Sequence, residues 1–248
     1  MGLLVALQFL TVLPIKRSFT VEQIGKATVY FPVVGIIIGF ILLGLDRLFS
    51  LILPPGIVNV LLIAFLAVIT GGLHLDGLAD TLDGMAGHRT PGERLEIMRD
   101  SRIGGLGAVG IALVLLMQYV LLNNITPALR FPVLVLAPTL SRWAMVNAIF
   151  VYPYARPSGL GKAFKDGLIG LQYALATVIT LMMAIILFKI SGVVIMVGCW
   201  VIADLTSLYF KHKLGGLTGD TYGAINEFTM LAVMLIVNIL AFKHWLIL

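Results

Sequence analysis

Between residues 70 and 110 the chain reads TGGLHLDGLADTLDGMAGHRTPGERLEIMRDSRIGGLGAVG, and this stretch holds six of the twelve carboxylates in a chain that is 60% hydrophobic and 12% charged. If the segment around Asp76, Asp80 and Asp83 is helical, offsets of 0, 4 and 7 put all three on one face. Three like charges on one stripe repel one another, and a divalent cation among them removes that cost. Hard oxygen ligands suit Mg²⁺, Mn²⁺ or Ca²⁺ better than zinc. A solvated polar helix end is the competing reading, but charges continuing an apolar span are costly and mark function. His74 could hydrogen-bond a ligand or act as acid or base, although a lone histidine near a membrane surface is as readily structural. Gly71, Gly72, Gly77, Gly84 and Gly87 permit close backbone approach and breaks in the helix. For Gly71 and Gly72, a small-residue contact between helices is the alternative.

Three further stretches carry chemistry. In DSRIGG, Asp100, Ser101 and Arg102 lie where the chain re-enters apolar sequence, and the Arg102 guanidinium could hold a phosphate bidentately. PYARPSGLGKAFKDG places Arg156, Lys162 and Lys165 among glycines and prolines, a plausible anion cradle that is not a Walker A sequence. A purely topogenic basic loop would look the same. GGLTGDTYGAINEFT again combines glycines with isolated acids, Asp220 and Glu227. Asn226 and Glu227 are expected at the mouth of the last span, where a bare acid has little structural use.

The elements that position these residues are membrane helices. A mean hydropathy of +1.05 with long uncharged runs describes an all-α, polytopic helical bundle in a lipid bilayer, read as one domain over residues 1–248. About 20 apolar residues make a span. That length gives seven: residues 29–53, 57–78, 104–122, 127–150, 168–188, 191–210 and 229–248. The segment at 2–13 is too short to cross and ends at Pro14, so it reads as a re-entrant or interfacial helix. It lacks the basic start and small-residue cleavage site of a signal peptide and is expected in the mature protein. Cys199 is the single cysteine, which excludes an intramolecular disulfide.

Twelve of the seventeen Lys and Arg residues fall in the connections 14–28, 84–103, 151–167 and 211–228, beginning with Lys16 and Arg17. The alternate connections and the tail carry only Arg47, Arg130, Lys189 and Lys243. By the positive-inside rule the basic set is cytoplasmic and the C-terminus lies outside. The net charge of +5 therefore reports orientation in the membrane and suggests no nucleic-acid partner. Every long polar connection then lies on the side where nucleotides are found. A transporter is the reading from another class, but transporters tend to place ionisable groups at the midplane and to show internal repeats. No convincing repeat is present, and only Asp204 and Arg142 look embedded.

Seven motifs carry a family resemblance: QFLTVLPI, YFPVVGIIIG, GGLHLDGLADTLDG, LEIMRDSRIGGLG, SRW, PYARPSGLGKAF and GGLTGDTYGAINE. Together they resemble the cobalamin synthase family, the adenosylcobinamide-GDP ribazoletransferases. The resemblance implies an integral, Mg²⁺-dependent enzyme of the prokaryotic cytoplasmic membrane, with Mn²⁺ as a substitute ion. It implies transfer from adenosylcobinamide-GDP to α-ribazole or its 5′-phosphate, with release of GMP. Asp76, Asp80 and Asp83 would then hold the metal, with Asp100 as a further ligand. Arg102, Arg156, Lys162 and Lys165 would take the phosphates. Asp83, His74 and an acid of the C-terminal stretch stay open as the base that accepts the acceptor's proton. Association with a second copy, or with other enzymes of cobamide assembly, also stays open. The chain is similar in part to CDP-alcohol phosphotransferases, but Ala79-Asp80 stands where their motif has Ala-Arg, so a phospholipid synthase is the alternative enzyme.

Overall fold

The computed structural model describes residues 1–15 and 19–247, so Lys16 and Arg17 lie outside the described residues. The described residues form helices, joined by turns, with one isolated bridge between Tyr154 and Leu217. In order they are α1 (Gly2–Leu10), α2 (Val21–Lys26), a 3₁₀ turn (Ala27–Tyr30), α3 (Phe31–Phe49), α4 (Pro55–Ile69), α5 (Leu73–Met85) and α6 (Pro91–Ile97). They continue with α7 (Gly105–Asn123), α8 (Pro127–Val151), α9 (Leu160–Gly167), α10 (Gly170–Leu214) and α11 (Gly219–Phe242).

Among the described residues, five helices are long and apolar enough to cross a membrane, or six if the bent pair α4 and α5 is taken as one span. The chain is a multi-pass helical membrane protein. The sequence-based count of seven also divides α10, which is two helices meeting at Lys189, where φ is 49° and ψ is −132°. The halves fold back on each other. Tyr173 near the start of α10 stacks on Phe150 at 4.4 Å, while Asp204, well past the break, accepts a 2.7 Å hydrogen bond from Tyr152 at the same end of α8.

At the centre stands α8. Its most apolar window is 94% buried, against 28% for α7. On α7 the outward side chains are Leu106, Val109, Leu113, Leu116 and Val120, an apolar band suited to lipid. Lipid tails are as apolar as leucine, so helix association here depends on close fit. Gly35 and Gly39, one turn apart on α3, lie directly on the backbone of α8 at Pro138 and at Leu134–Val135, where a side chain would collide.

The expected span at 57–78 is not one helix. α4 ends at Ile69, Gly71 and Gly72 take φ of 61° and 69°, and α5 leaves at 85° to α4. Left-handed backbone is cheap for glycine and costs other L-residues about 1–2 kcal/mol, so the break reading of these glycines holds. The amide of Val12 donates to the Ile69 carbonyl at 2.8 Å and ties the end of α1 across the break. The last helix also differs from expectation. It starts at Gly219 and not near residue 229, with Thr218 and Thr221 forming a reciprocal cap.

The basic connections gather at one end. Arg156 reaches Asp220 at 2.8 Å, the amide of Ala155 donates to Leu217 at 2.7 Å, and Gly25 lies directly against the backbone of Gly167. A separate polar cluster joins α3, α4, α7 and α8 around Arg130, which pairs with Asp46 at 2.6 Å and donates to Asn59 at 2.7 Å.

Candidate active site

α5 exists in its bent position because two small residues let it lie on α11. A Cβ at Gly77 would be 2.8 Å from the Asp220 carbonyl oxygen, and one at Gly223 would be 3.1 Å from that of His74. This crossing brings Asp76 and Asp80 to Asp220, the first-turn acid of α11. Asp80 feels the charges of Asp76, Asp220 and Asp83, with Arg156 opposing them. Among the described residues the carboxylates of Asp76 and Asp80 have no hydrogen bond or ion pair. Asp220 accepts from Arg156 at 2.8 Å and from the Thr218 hydroxyl at 3.3 Å. The Arg156 Nε is buried with no partner.

Beside this group opens a cavity of about 230 Å³. Asp76, Asp220 and Arg156 line it, together with His74 and Tyr222. His74 is 2% exposed, yet neither ring nitrogen has a partner, and the Tyr222 hydroxyl is also buried and unpartnered. Such groups cost about 1–3 kcal/mol each when left unsatisfied. Both residues line one cavity, and a ligand or ordered water that reached these atoms would remove that cost.

Asp83 has partners of its own, beyond the stripe on which its spacing puts it. Its two carboxylate oxygens accept from the backbone amides of Gly104 at 2.7 Å and Gly107 at 2.9 Å, so it caps α7 from the end of α5. An anion at a helix N-terminus satisfies orphan donors and meets the positive end of the dipole. It also faces a separate open pocket shared with Asp100 and Arg102. There Asp100 pairs with Arg102 at 2.6 Å, and the guanidinium holds its carboxyl down to about 2. Ser101 is exposed on the same loop.

The basic candidates also separate. Arg156 alone of them lines the cavity. Lys162 pairs with Asp166 one turn along α9 at 2.8 Å, and Lys165 donates to the Phe150 carbonyl at 2.7 Å near the end of α8. Asn226 and Glu227 are not at a mouth. They lie two turns inside α11 at 0% and 5% exposure, where Glu227 accepts from Gln118 at 2.9 Å and from Asn226 at 3.1 Å. The buried Arg142 faces Glu227 electrostatically. Hydropathy alone placed these residues in a loop because it reads a polar network buried in protein as exposure to water.

Among the described residues, no three His, Cys, Asp or Glu side chains form a ready-made metal cage. Mg²⁺ seldom uses one. It takes one or two carboxylates and fills its octahedron with water and substrate phosphate. The uncommitted Asp76 and Asp80, with Asp220 opposite, fit such an ion by charge, ligand hardness and number.

Comparison with known proteins bears on the reaction. The family model described as cobalamin-5-phosphate synthase matches residues 2–238. The chain is 38% identical to the adenosylcobinamide-GDP ribazoletransferase of Geotalea daltonii, covering 95% of this chain and 96% of that protein. It is 40% identical to the ribazoletransferase of a Roseiflexus species over 90% of this chain and 83% of the other. It is 38% identical to that of Fusobacterium nucleatum over 93% and 94%. No solved structure matches significantly. The chain belongs to the cobalamin-5-phosphate synthase family.

Proposed function

We propose that the chain transfers the cobinamide phosphate of adenosylcobinamide-GDP to α-ribazole or its 5′-phosphate and releases GMP, closing the cobalamin assembly. The observation that supports this reading is the convergence of Asp76, Asp80, Asp220 and Arg156 beside a cavity of nucleoside size. A ribose hydroxyl of the acceptor attacks the phosphorus next to cobinamide. One P–O bond forms, the P–O bond to GMP breaks, and the hydroxyl proton passes to a base.

Each residue has a part. Asp76 and Asp80 would hold Mg²⁺, for which Mn²⁺ could substitute, and the ion would supply neutralisation of the diphosphate charge. Arg156 lines the cavity and is oriented by its bond to Asp220, so its guanidinium is placed for a phosphate oxygen. His74 is the base in this reading, because Asp83 accepts from the α7 amides, Asp220 from Arg156 and Glu227 from Gln118 and Asn226, whereas both His74 ring nitrogens are without partners. The gathered basic connections support a site on the cytoplasmic face of a prokaryotic inner membrane.

Purified protein in lipid, supplied with adenosylcobinamide-GDP, α-ribazole and Mg²⁺, tests the proposal. The expected result is one GMP per complete corrinoid. No product from folded protein contradicts it.

A further inference from the structure

The cavity has a second group of lining residues that the chemistry above does not use: Phe9 from α1, Phe31 from α3 and Phe164 from α9. Their rings form one cluster. Phe9 and Phe31 are stacked at 5.9 Å with 22° between their planes, Phe9 and Phe164 lie 4.6 Å apart, and Phe164 stands edge-on to Phe31 at 5.2 Å. Three separate elements converge to build this wall, and Phe9 is its presented face, because Phe31 and Phe164 are 0% and 1% exposed and back it from behind.

We propose that this wall binds the flat heteroaromatic base of the acceptor nucleoside, and that His74 and Tyr222 take the hydroxyls of its ribose. The inference rests on the transferase reading above. Its argument begins with size: about 230 Å³ is below the roughly 300–1,000 Å³ of sites that enclose drug-sized ligands, so the cavity suits a nucleoside better than a corrin macrocycle. Chemistry then separates the two nucleosides of the reaction. Guanine carries donors and acceptors around its edge, and phenylalanine rings would leave these unpaired at a cost. The ribazole base has no hydrogen-bond donor on its edge and loses little on such a surface. Stacking on aromatic faces needs no polar partner.

Position supplies the second line of argument. The buried, unpartnered His74 and Tyr222 line the same cavity as the phenylalanines and as Asp76, Asp220 and Arg156. A base on the phenylalanines directs its sugar to the imidazole and the phenol, and presents a ribose hydroxyl to the phosphate-handling group. The fully buried Phe31 and Phe164 also hold helices together, but Phe9 is only partly buried and can be changed with less risk to the fold.

Steady-state kinetics of the full-length protein in lipid test the assignment. Phe9→Leu should raise the KM for α-ribazole about 5- to 150-fold, the equivalent of losing one base–aromatic stack, while the KM for adenosylcobinamide-GDP changes less than twofold. Phe9→Trp should restore most of the loss. Tyr222→Phe removes one hydroxyl, keeps the ring, and should raise the same KM several-fold. A rise confined to the donor KM would place the guanine here and overturn the proposal. An unchanged α-ribazole KM in both Phe9→Leu and Tyr222→Phe would also overturn it. Wild-type protein run in parallel separates the two readings, because its failure to make product counts against the transferase itself.

Discussion

Asp83 shows how much one residue's role depends on its neighbours. Spacing puts it on a stripe with Asp76 and Asp80, and that pattern is legible in the sequence. Its bonds to Gly104 and Gly107 join positions 21 and 24 residues away and are not. The three aspartates should therefore separate on mutation. Asp83→Asn weakens a helix cap worth about 1 kcal/mol, and should lower the unfolding midpoint in detergent while retaining measurable transfer. Complete loss of activity with an unchanged midpoint would instead make Asp83 part of the chemistry. Phe9, Phe31 and Phe164 mark the other limit of the sequence. In an apolar chain a phenylalanine has no signature that distinguishes a ligand wall from a core.

At the scale of elements, the site depends on the break between α4 and α5 and on the crossing of α5 with α11. Hydropathy ran through residues 57–78 as a single span because it does not register direction, whereas the adjacent glycines did signal a place where the helix can break. The start of α11 was illegible for the opposite reason: residues 219–228 are polar enough to read as a loop, yet Thr218 caps a helix most of whose polar side chains are buried inside the protein. Gly77 is the tightest test of the crossing. Gly77→Leu forces a side chain onto the Asp220 backbone, and overpacking of this kind costs about 1–3 kcal/mol. The expected outcome is a protein that inserts, unfolds at lower temperature and loses most of its transfer activity because Asp76 and Asp80 have moved from Asp220. Full activity would show that α5 and α11 need not touch.

Across the whole molecule, the alternation of basic and sparsely charged connections was the most informative feature of the sequence. The structure gathers the basic segments at one end, with Arg156, Asp220 and the end of α5 among them. A cysteine replacing His88 in an otherwise cysteine-free variant should resist impermeant reagents in intact cells and react once the cells are opened. Labelling from outside would put the site on the wrong face for a cytoplasmic nucleotide. The central claim, that uncommitted carboxylates on α5 serve a metal-dependent transfer, is tested most directly by GMP release. Wild-type protein and Asp80→Asn would be compared in lipid with Mg²⁺ or with EDTA. The expected result is Mg²⁺-dependent release by the wild type and a loss of about 10²- to 10³-fold in Asp80→Asn with its unfolding midpoint preserved. Equal release in EDTA, or an Asp80→Asn variant as active as the wild type, would contradict it.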